Sequence, residues 1–160
     1  MGVGKAIKWI LLLPLILAGL GIAYCEANKA YWDHRVRELC KKDGGVTVFE
    51  QLEIAKVDYP TLKYSSFGAV IFPSERNAKP SDPFITEFNS KSLHEGFPDV
   101  IRFEQSIIRS ADRKKLSKLI SYSRRGGDFP TGISHPSSFT CGDEESEINK
   151  FTSVVVLKGV

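Results

Sequence analysis

Residues 124 to 141 read RRGGDFPTGISHPSSFTC and gather, in one short stretch, the side-chain types that carry chemistry. Arg124 and Arg125 offer forked guanidinium donors to a carboxylate or phosphate group. Asp128, His135 and Cys141 contain the atoms of a base and a nucleophile, the parts of a thiol-dependent hydrolase. The stretch also has a plainer reading. Gly126, Gly127 and Gly132 permit tight reversals, Pro130 and Pro136 restrict the path, and Asp128 can accept bonds from nearby amides, as in an ordered connection. Arg124, Arg125, Asp128 and His135 are therefore the candidate binding residues, and no catalytic residue is assigned.

The surrounding charge suits an anion, with ordinary solvation of a strand pair as the plainer alternative. Between Arg102 and Arg125 eight basic residues face only Glu104 and Asp112, a local balance of +6, and the acidic GDEESE at 142–147 is a candidate internal partner for them. Overall the chain carries a net charge of +3, but Lys5 and Lys8 precede residue 26, so residues 26–160 stand at +1. That balance gives no reason to expect specific nucleic-acid binding. His34, His94 and His135 follow no metal-ligand spacing, HExxH and CxxC are absent, and no glycine-rich phosphate cradle occurs. Asp82, Glu87, Glu95, Asp99 and Glu104 specify no carboxylate pair without a fold to join them. No metal and no cofactor are expected.

A chain of 160 residues suffices for one modest domain. In NKAYWDHRVRELCKK, residues 28–42, Trp32, Val36, Leu39 and Cys40 recur at three- and four-residue spacings that predict an amphipathic helix, with Tyr31 at the edge of its stripe. His34 sits among charges and reads as a surface residue. Lys41 and Lys42 suit the last turn, and Gly44 with Gly45 can end the helix. Extended segments are predicted for VTVFEQLEI from Val46, SFGAVIF at 66–72, VIRFEQSIIR at 100–109, KLSKLISYSR at 115–124 and FTSVVVLK at 151–158. Ile101, Phe103 and Ile107 share one face of their strand and Arg102 and Glu104 the other. A hairpin is predicted through Ser110 to Lys114, with a helix over Asp112–Tyr122 as the competing reading. PSERNAKPSDP reads as a loop. The expected fold is α+β, a short amphipathic helix on a small, mainly antiparallel sheet with one buried and one wet face.

Ahead of that domain, residues 1–27 place Lys5 and Lys8 before an uncharged run from Trp9 to Cys25, which as a helix covers roughly 25 Å. This reads as a signal peptide or a membrane anchor, so residues 28–160 are expected to form a single extracytoplasmic domain. Cys25 and Ala27 fit the small residues of a cleavage site before Asn28. Lipid attachment at Cys25 is the third option, set against the bulk of Tyr24. The expected location is the bacterial inner membrane with a periplasmic domain, or the periplasm if the segment is cleaved. In an oxidising compartment Cys40 and Cys141 form the economical disulfide, worth about 4 to 5 kcal/mol in the chain-entropy model. Two free structural thiols, or a catalytic or metal-binding cysteine, are the alternatives.

ELCKKDGGVTVFE at 38–50, with ISYSRRGGDFP and HPSSFTC, resembles small uncharacterised proteins of Gram-negative bacteria. The resemblance spans much of residues 30–142 and implies an exported or membrane-associated protein, with no catalytic set to carry over. The function expected from these observations is a non-enzymatic cell-envelope interaction or assembly protein, its partner another envelope protein or an anionic ligand. The alternatives are a membrane-anchored accessory subunit and a hydrolase using Cys141 and His135.

Overall fold

Helix α1 runs without interruption from Val3 to Asp43 and ends where Gly44 N donates to Cys40 O at 2.8 Å. The computed structural model describes residues 3–55, 62–64, 70–129, 136–141 and 145–157. After α1 come β1 (Gly45–Val48), β2 (Leu52–Ile54), β3 (Lys63–Tyr64), β4 (Val70–Ile71) and a 3-10 turn at Glu75–Asn77. Three long strands follow, β5 (Phe84–His94), β6 (Asp99–Arg109) and β7 (Lys115–Arg125), then β8 (Ser138–Cys141), α2 (Glu145–Thr152) and β9 (Val155–Leu157).

The α+β expectation holds, but its membrane component does not. In place of a membrane or signal helix followed by a separate amphipathic one, a single helix crosses residue 27, and among the described residues no helix is long and apolar enough to cross a membrane. An inner-membrane placement therefore has no spanning helix among those residues to rest on, and no signal-peptide boundary is visible. The composition of α1 gives a local cause. The uncharged run is short and contains Pro14, Gly19 and Gly21, while the Ala, Glu and Lys residues after Ile22 sustain the helix past Ala27. The end of the run is also engaged by the rest of the protein. A Cβ placed on Gly21 would lie 2.9 Å from the ring of Phe129, so a larger residue there requires that ring to shift.

The main sheet has five strands in the order β1, β7, β6, β5, all antiparallel. Strand β8 shares the outer edge of β7 with β1. β1 lies along Ser117 to Ile120, and β8 lies along Tyr122 to Arg125. The hairpin through Ser110 to Lys114 forms as expected, closed by Arg109 N to Lys114 O at 2.9 Å. Residues 115–124 are strand and not helix, since Ile and Tyr favour a pleated, half-buried surface. Two small pairs complete the structure, β2 with β9 in parallel and β3 with β4 antiparallel, so the strand pairing is mixed.

Both faces of the sheet are covered where one wet face was expected. Leu119 and Ile120, neighbours in β7, point to opposite faces and enter different apolar clusters. Ile120 joins Val36, Val100 and Tyr122 beneath α1, with Trp32, Leu39 and Cys40 packed around them. Leu119 joins Phe84, Ile107, Leu116, Phe151, Val154 and Val155 on the side of α2 and β9. A register irregularity between Ile107 and Ile108 lets the consecutive Leu116 and Ser117 both be buried.

Three other segments bear on the strand expectations. Strand β5 was not anticipated, because its Ser, Asn and Lys residues resemble those of a loop. Residues 145–152 form α2, so FTSVVVLK is helical at Phe151 and Thr152 and extended at Val155–Leu157, with Lys158 outside the described residues. Of SFGAVIF, Val70 and Ile71 are strand, and residues 66–69 lie outside the described residues.

Candidate functional site

The basic stretch predicted as a binding surface is, in the folded chain, mostly one half of a clasp. Lys29, Asp33, Val36, Cys40 and Asp43 repeat at four- and three-residue spacings, which places them along one face of α1. Val36 is fully buried at the centre of that face. The other four each reach a different point of the sheet or the loop after it. Lys29 Nζ donates to Asp128 Oδ1 at 3.2 Å, and Arg124 Nε donates to Asp33 Oδ1 at 2.5 Å. Cys40 is bonded to Cys141 with 6.3 Å between their Cα atoms. Tyr122 Oη donates to Asp43 Oδ1 at 2.6 Å. Arg37 adds a contact from the flank of the helix, its guanidinium 4.7 Å from the centre of the Phe139 ring.

Arg124, expected as a binding residue, is only 2 % exposed. Beyond Asp33, its Nη1 donates to Gly126 O, to Ser137 O at 3.3 Å and to Ser137 Oγ at 3.1 Å. All of its fork is directed inward, so it holds the turn to the helix and offers nothing to a soluble anion. Arg125, the next residue of the strand, points the other way and is exposed. Asp128 closes the same turn. Its Oδ2 accepts from Ser137 N at 2.5 Å, and the Ser137 bonds, aided by Lys29, hold its carboxyl down at about 2. At Gly126, whose φ is +83°, a Cβ would meet the Phe97 ring at 2.8 Å. His135, with Pro130 and Gly132, lies outside the described residues.

The expected anion surface is largely neutralised from within. Arg102 pairs with Glu104 and Asp43, Arg109 with Asp112 and Glu50, and Arg113 with Glu75 and Glu87. Lys114 pairs with Glu50, Lys115 with Glu104 and Arg124 with Asp33. Among the described residues only Lys118 and Arg125 of the eight stand outside these ion pairs. Most of the acids come from distant segments and not from GDEESE, of which residues 142–144 lie outside the described residues. Those pairings explain the low carboxyl pKa values of the region. The Arg109 guanidinium holds Asp112 at about 2, and Arg102 lowers Glu104.

The disulfide bears directly on the hydrolase reading, because a sulfur bonded to Cys40 is no nucleophile. Cys25 is the free cysteine, half-buried on α1. His34 is exposed beside Glu38 at 3.3 Å, as expected of a surface residue. His94 lies against Trp32, ring centres 4.2 Å apart, with Nδ1 2.8 Å from Pro98 O. Among the described residues, no group of three or more His, Cys, Asp or Glu could hold a metal ion. A cavity of about 360 Å³ lies on the side away from the clasp, with Leu62, Ile71, Pro83 and Phe84 as its apolar wall and Lys63 and Lys79 at its rim.

Lys29, Asp33 and Asp43 are the clasp residues of α1 that sequence reasoning missed. Their signal was present: each continues the helical spacing of Val36 and Cys40, and an acid on the buried stripe of a helix requires a cation or donor opposite. Comparison of the chain with protein-family models, with curated proteins and with solved structures returned no match.

Proposed function

We propose that this chain is a non-enzymatic interaction or assembly protein that presents the N-terminal half of α1 to an apolar groove on a protein partner. One observation carries the reading. Trp9, Ile10, Leu13, Leu15, Leu17, Leu20 and Tyr24 are all exposed on a helix whose other half is fastened to the sheet by the clasp and the disulfide. An apolar surface of this extent on a rigidly held element marks an interaction site, and an amphipathic or apolar helix docking in a groove is a common way of using one. The clasp fixes the direction in which the helix leaves the domain. The disulfide suits an oxidising compartment.

The test is site-specific photocrosslinking from Leu15 and Leu17 in the organism's own extract, with Tyr31 as a position outside the free half. The expected result is one discrete protein adduct from Leu15 and Leu17, absent from Tyr31 and abolished by Leu13→Glu with Leu20→Glu. Crosslinks confined to lipid, or none at all from a correctly folded protein, would overturn the proposal.

A further inference from the structure

Strand β5 forms one border of the main sheet, and among the described residues its outer edge is closed only at the start. There Thr86 N donates to Pro73 O at 2.8 Å, and Ser74 pairs with Thr86. In an antiparallel ladder the N–H and C=O groups of alternate residues face opposite sides. Since Thr86 turns its N–H outward, Phe88, Ser90 and Ser92 do the same. Among the described residues no strand pairs with them, and the segment from Phe88 to Leu93 is exposed throughout. A long open edge is a template for another strand.

The side chains of that edge complement one another about Asn89. We infer that β5 pairs antiparallel with β5 of a second copy of this chain, on a twofold axis with Asn89 opposite its own counterpart. In that register Glu87 stands opposite Lys91 of the second copy, and the symmetry makes the pair twice. Phe88 and Ser90, whose backbone groups face outward, exchange hydrogen bonds with Ser90 and Phe88 of the other chain. The two Phe88 rings become diagonal neighbours, within reach of each other. At present Phe88 is 58 % exposed and rests on Phe103, ring centres 5.7 Å apart.

Lysine on an edge strand ordinarily discourages pairing. Here its neighbours reverse that effect. Within its own sheet Lys91 lies opposite Arg102, a like charge, and Arg102 is already held by Glu104 and Asp43. Among the described residues Lys91 has no carboxylate partner of its own. Glu87 of a second copy supplies one, and Glu87 keeps Arg113 on its other side.

The experiment uses the full chain carrying Cys25→Ser, so that α1 contributes no thiol. Asn89→Cys is oxidised under mild conditions and compared with Lys91→Cys. Residue 89 faces its own copy at a non-hydrogen-bonded position with Cα atoms about 4.5 Å apart, which a disulfide can span. Two copies of residue 91 are offset by four positions along each strand, roughly 13 Å, and cannot be bridged. A reducible dimer from Asn89→Cys and none from Lys91→Cys is the expected result. Adding Ser90→Pro should lower dimer formation about tenfold or more, because proline removes an outward donor while leaving the ladder to β6 intact. Light scattering of the wild-type chain should show a dimer that Ser90→Pro disperses. The inference fails if folded Asn89→Cys stays monomeric, if Lys91→Cys crosslinks equally well, or if Ser90→Pro changes nothing. A wild-type monomer that binds an extended peptide at this edge would also overturn it. Copies brought together only by α1 would crosslink at both positions or neither, so this result is independent of the helix-docking proposal.

Discussion

Arg124 Nε and Asp33 Oδ1 lie 2.5 Å apart at the junction of β7 with α1, with the arginine side chain 3 % exposed and the aspartate 20 %. Arg124 ends β7 on the face of Ile120 and Tyr122, beside an exposed Arg125, and is a buried strut. Pairing with Asp33 and with the carbonyls of Gly126 and Ser137 makes it the point at which helix, strand and following turn are joined. With Arg124 buried and Asp33 partly buried, losing either residue leaves the other without its opposite charge, and only the carbonyl and hydroxyl partners remain to Arg124.

Arg124→Ala or Asp33→Ala should therefore destabilise the fold by about 3 to 5 kcal/mol, the range for breaking a buried ion pair. The paired replacement Asp33→Leu with Arg124→Met should recover most of that loss. Urea unfolding of the three variants checks this. Single variants within about 0.5 kcal/mol of wild type would show that the pair is dispensable. Arg125→Ala, an exposed neighbour, should stay within that small range.

Reduction of the bond between Cys40 and Cys141 should lower stability by about 4 to 5 kcal/mol in the chain-entropy model, since the bridge closes a long loop. Cys40→Ser with Cys141→Ser should behave as the reduced protein does. The separation of 101 residues is what makes the effect large. Equal unfolding midpoints with and without reductant would contradict it. Loss of the bond should also loosen α1, seen as faster amide exchange from Trp32 to Cys40.

Acid should weaken the clasp in a defined window. Asp128 has its folded pKa depressed from 3.8 to about 2, first by the Ser137 bonds and then by Lys29. Asp112 is depressed to about 2 by Arg109. A depressed carboxyl binds protons less readily in the folded than in the unfolded state, so it stabilises the fold above its unfolded pKa. That contribution is complete above about pH 4 and disappears as pH falls through about 2. Urea midpoints measured from neutral pH downward should fall in that interval, and Asp128→Asn should flatten the decline while lowering the plateau. An equally steep acid limb in Asp128→Asn would assign the effect elsewhere.

Much of the local structure was legible from periodicity. The stripe of Trp32, Val36, Leu39 and Cys40 packs as spaced, with Tyr31 outside it. β6, β7 and their hairpin follow from runs rich in Ile, Val, Phe and Tyr. Strand β5 was not legible, because FITEFNSKSLH gains its conformation from pairing with β6 along its length and not from its own composition. The boundary of α2 was missed for a related reason. Phe151 and Val154 are three residues apart and both buried, which a strand reading of FTSVVVLK cannot express.

The candidate site divides in the same way. By itself the sequence determined which residues were chemically capable: paired arginines, an aspartate beside two glycines, and two cysteines whose pairing the structure contains. Only the tertiary structure decided what those groups face. The contacts that settle it span 91 residues for Arg124 with Asp33, 99 for Lys29 with Asp128 and 79 for Tyr122 with Asp43. Helical and strand periods report which side of an element a residue occupies, since they arise from local backbone geometry. They carry no record of which distant element will cover that side. For Arg124 that covering element is α1, so a guanidinium that looked available to a ligand is instead an internal part of the fold.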